Sequence, residues 1–272
     1  MARPLHKSPF LASMRSFAPL ACLLVSLTAG CAVEQLPVDG ESGEEDAGAL
    51  DDVRRVLLCQ QGLSDRTMEW DKGLFDLCEA AEANGFDLIW DGDYPAFGAL
   101  DENGAYEALI DELDDNDDGV VTSKDSAALV HLVGFSWGGI NVTDLAKRLG
   151  KDKRVATGRR GVAGMVLLDA FQPQAWHATI PANVLNAWVY RQTDTTSGDC
   201  SSTVSLGFGF NGKSPLAKSE TTSCTDYDLD SFLDGVGHCD VPKTATEAAL
   251  VNLLEHKDYE PWADYASACD VD

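Results

Sequence analysis

The stretch that most restricts what this chain can fold into runs from residue 128 to residue 149, ALVHLVGFSWGGINVTDLAKRL. Its first half is apolar, and Val130, Leu132 and Val133 have the character of a buried strand. Its second half places Ile140, Leu145, Ala146 and Leu149 on one face of a helix. Between them lies Gly134-Phe135-Ser136-Trp137-Gly138, with Gly139 extending the run of small residues. A strand that becomes a helix within so few residues must turn a sharp corner, and Ser136 stands at the corner. Side chains two positions before and after it would clash with the adjoining helix and strand, so glycine is required there. The corner strains the serine backbone and lifts its hydroxyl clear of the sheet. The N-terminus of the following helix then faces any negative oxygen formed beside it.

This motif, in the form G-[FYH]-S-x-G-G between strand and helix, resembles the nucleophile elbow of the α/β-hydrolase superfamily, in particular exported lipase- and esterase-like members. The resemblance implies an α/β fold with a doubly wound, mostly parallel sheet in a single domain, and a Ser, acid, His order along the chain. Ser136 is then the nucleophile. A serine hydroxyl needs a base to take its proton, and the base needs an acid to fix its tautomer. Four histidines follow the leader. His131 lies five residues before Ser136, about 16 Å back along a strand, and reads as a core or sheet-face residue. His256 falls in the last helical segment and reads as solvated. His177 lies beside Trp176 in a loop. His238 lies in a Gly-flanked loop before the last helix, where the resembled family places its base, and is the expected base. For the acid, Asp169 and Asp194 compete, since each follows a strand. The commonest arrangement of the resembled family puts the acid after the later strand, which favours Asp194, but Asp194 sits in a polar turn. Asp169 ends the clean apolar run 162–168, a position that a subset of exported members uses, and is the expected acid.

The first strand, 53–59, runs into Gln60-Gln61-Gly62-Leu63. The resembled family usually carries His-Gly here, and the next backbone amide helps bind the oxyanion. Gln61-Gly62 departs from that pattern but keeps the close backbone approach. The resemblance implies the amides of Leu63 and Trp137 as oxyanion donors.

The chain opens with Arg3, Lys7 and Arg15 and no acid to residue 30, then an apolar segment too short for a comfortable membrane span. It ends Leu27-Thr28-Ala29-Gly30-Cys31, which resembles a bacterial lipobox and implies a signal peptide over 1–30 and lipidation of Cys31. Residues 31–52 read as an acidic disordered tether and 53–272 as one domain. The expected location is exported: an outer-membrane lipoprotein, or a cell-surface or secreted protein. The expected membrane contact is through the anchor, and a monomer is expected. A formal net charge of −25 repels phosphate backbones, so nucleic acid is an unfavoured partner. Six of the eight cysteines lie beyond residue 31, an even number that suits disulfides in an exported chain. Six allow 15 pairings; the local set Cys59–Cys78, Cys200–Cys224 and Cys239–Cys269 is the expected one.

Residues 114–125, DDNDDGVVTSKD, match a twelve-residue calcium loop. Asp114, Asn116 and Asp118 fall at positions 1, 3 and 5, Gly119 at the bend, the Val120 carbonyl at 7 and Asp125 at 12. Aspartate at the last position is shorter than the usual glutamate. A loop leading from helix to strand lies at the edge of a parallel sheet opposite the chemistry, so a Ca2+ ion here is expected to be structural. The segment 195–234 reads as a long polar excursion pinned by disulfides, and 244–256 as the final helix.

The expected function is hydrolysis of a small-molecule or lipid ester through an acyl-enzyme. The sequence leaves open an amidase or peptidase on the same triad, and a noncatalytic calcium-stabilised surface lipoprotein that keeps the hydrolase scaffold.

Overall fold

In the computed structural model, residues 53–62, 72–91, 102–170, 178–193 and 214–271 are described. The apolar runs of the sequence become neighbouring strands. In chain order the elements are β1 (Arg54–Gln60), α1 (Lys72–Ala83), β2 (Phe86–Asp91), α2 (Glu102–Leu113), β3 (Ala128–Phe135), α3 (Trp137–Leu149) and β4 (Val162–Leu168). There follow β5 (Thr179–Ile180), β6 (Val184–Arg191), β7 (Leu216–Ala217), β8 (Ser223–Asp228), α4 (Val241–Glu255), β9 (Ala266–Ala268) and β10 (Asp270–Val271). The main sheet has the order β2-β1-β3-β4-β6-β8-β9. All its pairings are parallel except the last, β8 with β9. A second small sheet has the order β10-β7-β5.

Side chains alternate between two cores, as strands buried on both faces require. Leu58, Leu132, Met165 and Val189 face one core with Leu109 of α2 and Leu145 of α3. Leu57, Val133, Val166 and Tyr190 face the other with Leu74 and Leu77 of α1 and Leu253 of α4. The helices thus cover both faces, which is the α/β-hydrolase-like doubly wound arrangement expected. The chain runs outward from β1 to β2, then returns across β1 to place β3 on its other side. At that reversal the helices after β1 and β3 diverge to opposite faces, and in open α/β sheets ligands bind outside the strands' C-terminal ends at such a point. Gln60 pairs with Gly134 in register there, which brings the end of β1 beside the serine corner.

Two expectations are corrected. The excursion 195–234 contains β8, a central strand whose sequence, SCTDYD, carries two acids. Asp226 is buried in it because Arg191 on β6 binds its carboxylate at 3.0 Å. Burial raises the affinity of that carboxyl for its proton and the guanidinium opposes the rise. A strand that hides charge by pairing across the sheet does not show as an apolar run. The second correction concerns disulfides. Cys59–Cys78 is present, joining β1 to α1, but Cys224 is bonded to Cys269. The expected Cys200–Cys224 and Cys239–Cys269 pairs are therefore wrong: β9 folds back antiparallel on β8 and carries Cys269 to Cys224. Cys239 is also disulfide-bonded. No described helix is long and apolar enough to cross a membrane.

Candidate active site

The corner after β3 has the geometry its glycines demand. Ser136 has φ 55° and ψ −123°, a strained conformation for a residue with a side chain. A Cβ on Gly134 would lie 2.5 Å from the carbonyl oxygen of Gly138. A Cβ on Gly138 would lie 2.3 Å from the carbonyl oxygens of both Gln60 and Gln61. The first glycine admits the helix and the second admits the end of β1. The Ser136 amide donates to the Leu168 carbonyl at 2.9 Å, which ties the corner to β4. Gly62 completes the approach: a Cβ there would lie 2.8 Å from the Ser136 Cβ.

Three side chains distant in sequence meet above this corner. His238 Nδ1 donates to Asp169 Oδ2 over 2.6 Å. That leaves Nε2 to accept the Ser136 hydroxyl at 2.9 Å. Asp169 is wholly buried, while Ser136 and His238 are 6% and 7% exposed. The His238 ring stacks on Phe135 with centroids 4.9 Å apart, which restrains its tilt. Asp169 follows β4 directly, with φ 43°, and its amide donates to the Tyr190 carbonyl at 2.6 Å. The expected nucleophile, base and acid are thus brought together. Leu63, His177, Asp194 and Cys31 lie outside the described residues. Trp137 is the first residue of α3, beside the serine.

One contact was not visible in the sequence. Gln192, just beyond β6, donates its backbone amide to Asp169 Oδ1 and its side-chain amide to Oδ2, each at 3.2 Å. A glutamine after a strand carries no sequence signal of such a role.

The other described histidines stand apart. His131 is fully buried, as expected for a core position. His256 corrects its solvated reading: it is the left-handed C-cap of α4, and its Nε2 lies 2.8 Å from His131 Nε2. Burial, chiefly, and then the neighbouring His256 hold His131 down to about 3. Burial and then Arg55 lower His256.

The acidic loop lies between α2 and β3, at the opposite edge of the sheet. Gly119 has φ 82°, as the bend of a calcium loop needs. Asp114 and Asp125 are buried. Asp114 accepts the Gly119 amide at 2.6 Å, and Asp125 accepts the Thr122 amide at 2.6 Å and the Asn116 side-chain amide at 3.0 Å. Asp118 is exposed and accepts the Val120 amide at 3.1 Å. The hard oxygen donors suit a calcium ion. Among the described residues, however, no group of three His, Cys, Asp or Glu side chains gathers as metal ligands would.

No family model matches the chain, and no curated protein matches it. Among solved structures it is similar to a pyrethroid hydrolase, PytH (18% identity, 43% of this chain and 40% of that one, TM-score 0.26). It is also similar to a cutinase-like protein from Cryptococcus sp. (17% identity, 74% and 95%, TM-score 0.36). A third is alpha/beta hydrolase domain-containing protein 10 from mouse (16% identity, 43% and 40%, TM-score 0.23). The chain spans 40% of the length of the first and third of these.

Proposed function

We propose that the protein is a serine hydrolase that cleaves carboxylic esters through an acyl-enzyme. The observation that carries this reading is the unbroken path of hydrogen bonds from Ser136 through His238 to Asp169, 2.9 and 2.6 Å long. As Ser136 Oγ attacks the ester carbonyl, His238 Nε2 takes its proton. Asp169 holds the imidazole by Nδ1 and stabilises the imidazolium. The tetrahedral oxyanion develops against the amides of Trp137 and Leu63 and the N-terminus of α3. His238 returns the proton to the departing alkoxide, and the alcohol leaves. Water, deprotonated by His238, then attacks the acyl-Ser136 carbonyl and releases the acid.

In this reading the substrate is a small-molecule or lipid ester, and the chain is exported and anchored through Cys31. A Ca2+ ion held by Asp114, Asn116, Asp118, Asp125 and the Val120 carbonyl would stiffen the entry to β3 from the edge opposite the chemistry. A fluorophosphonate probe tests the core of the reading. Stoichiometric labelling that Ser136→Ala abolishes supports the enzyme. Folded protein that takes no label would leave a noncatalytic scaffold as the better account. Parallel assays of esters and amides of one acyl group separate an esterase from an amidase or peptidase.

A further inference from the structure

We infer that Gln192 is a positioning residue for the triad, acting on Asp169 as an uncharged clamp from the neighbouring strand. This rests on the serine-hydrolase reading of the site. Asp169 Oδ2 is the oxygen that receives His238 Nδ1, and the Gln192 side-chain amide donates to that same oxygen. The Gln192 backbone amide donates to the other oxygen, Oδ1. With the His238 bond, these two donors restrain the rotation of the carboxylate about its Cβ–Cγ bond, and with it the direction in which Oδ2 faces the imidazole.

The clamp is itself held. Gln192 is wholly buried. Before it, Arg191 is bonded to Asp226 and Asp228 on β8 at 3.0 Å. After it, Thr193 donates its hydroxyl to Asp230 at 3.2 Å. Three consecutive residues are thus pinned to four aspartates, and Arg191 directs its charge to β8. The donors that Gln192 offers Asp169 are neutral. They spread the carboxylate's charge without cancelling it, so Asp169 can still stabilise an imidazolium at His238. A cation in the same place would compete with the imidazolium for that charge.

The consequence is specific. Removing the side-chain donor loosens the carboxylate at Oδ2 and leaves its charge more concentrated. Ground-state binding of substrate is untouched, because Gln192 meets the acid and not the ester. A carboxylate with one donor fewer also holds the imidazolium proton more tightly.

The test compares wild type, Gln192→Leu and Gln192→Glu. Leucine removes the donor at similar volume; glutamate keeps the shape and adds a charge. Folding is followed by circular dichroism, turnover of a p-nitrophenyl ester across pH, and the low-field NMR signal of the His238 Nδ1 proton. The expected result is folded variants with KM within about twofold of wild type and kcat lowered about tenfold, the scale of a hydrogen bond to a charged group. The acidic limb of kcat/KM moves to higher pH in both variants, and further in Gln192→Glu. Variants whose kcat, acidic limb and NMR signal match wild type overturn the inference, even if they melt earlier. Loss of folding in both assigns Gln192 to packing and overturns it too. If wild type takes no fluorophosphonate and cleaves no ester, the hydrolase reading fails separately. The NMR signal then decides on its own: moved in the variants, it supports the clamp; unmoved, it refutes it.

Discussion

His131 Nε2 and His256 Nε2 lie 2.8 Å apart, on the strand that leads to Ser136 and at the end of the helix that follows His238. His131 Nδ1 donates to the Leu129 carbonyl at 3.1 Å, so its Nε2 is the acceptor and His256 is the donor. Both rings are neutral in this arrangement. The pair fastens the C-terminal end of α4 to the middle of β3.

The first prediction concerns acid. Both imidazoles bind protons less readily folded than unfolded, where an ordinary histidine titrates near 6.5. The unfolded chain therefore takes up more protons as pH falls. The stability from the neutral pair is fully present above about pH 6.5 and is lost progressively below it, for His131 down toward about 3. Each proton so taken up steepens the fall by about 1.4 kcal/mol per pH unit. Urea denaturation at pH 7 and pH 5 measures it. His256→Gln, which can still donate to His131 but does not titrate, should flatten the dependence.

A second prediction addresses the triad. Ser136→Ala should lower kcat on an activated ester by about 10⁴-fold or more. Asp169→Asn, which favours the wrong tautomer of His238, should cost on the order of 10³–10⁴-fold with little change in KM. Retained turnover in Ser136→Ala would remove the nucleophile from its role.

Gly138 gives a third. A methyl there would stand 2.3 Å from two carbonyl oxygens at the end of β1, so Gly138→Ala must push β1 and the corner apart. A loss of about 1–3 kcal/mol is expected from such overpacking. Activity should fall more than stability suggests, because Gly62 and Ser136 move relative to each other. Gly158→Ala, where an added methyl meets nothing within 4 Å, is the matched control and should alter neither.

The calcium proposal predicts that a chelator lowers the melting temperature by about 5–10 °C, the scale for an ion present at about a hundred times its Kd. Asp114→Asn should abolish the chelator effect. Turnover at 25 °C should be unchanged, since the loop lies at the far edge of the sheet. An identical melting curve with and without chelator would remove calcium from the account.

The Cys224–Cys269 bridge closes a sequence separation of 45 residues. Replacing both with serine should cost about 2–4 kcal/mol, read as a lower denaturant midpoint, with kcat retained under native conditions. A loss of kcat without loss of stability would tie β9 to the site.

The sequence determined those features that depend on chain neighbours alone. The order strand, Ser136 corner, α3 is written in apolar spacing and in two glycines where any side chain would crowd neighbouring backbone. The strand ending in Asp169 and the loop holding His238 are legible for the same local reason, as is the bend at Gly119. Tertiary structure decided what depends on residues far apart. Asp226 sits in a central strand because Arg191 reaches it across the sheet. Cys224 found Cys269 because β9 turns back on β8. His256 is half-buried because His131 accepts its N–H hydrogen bond. Gln192 clamps Asp169 because β6 lies beside β4. Local steric rules act between residues a few positions apart and leave a pattern in the chain. Pairing across a sheet satisfies charge and hydrogen bonds between residues whose proximity no spacing in the chain encodes.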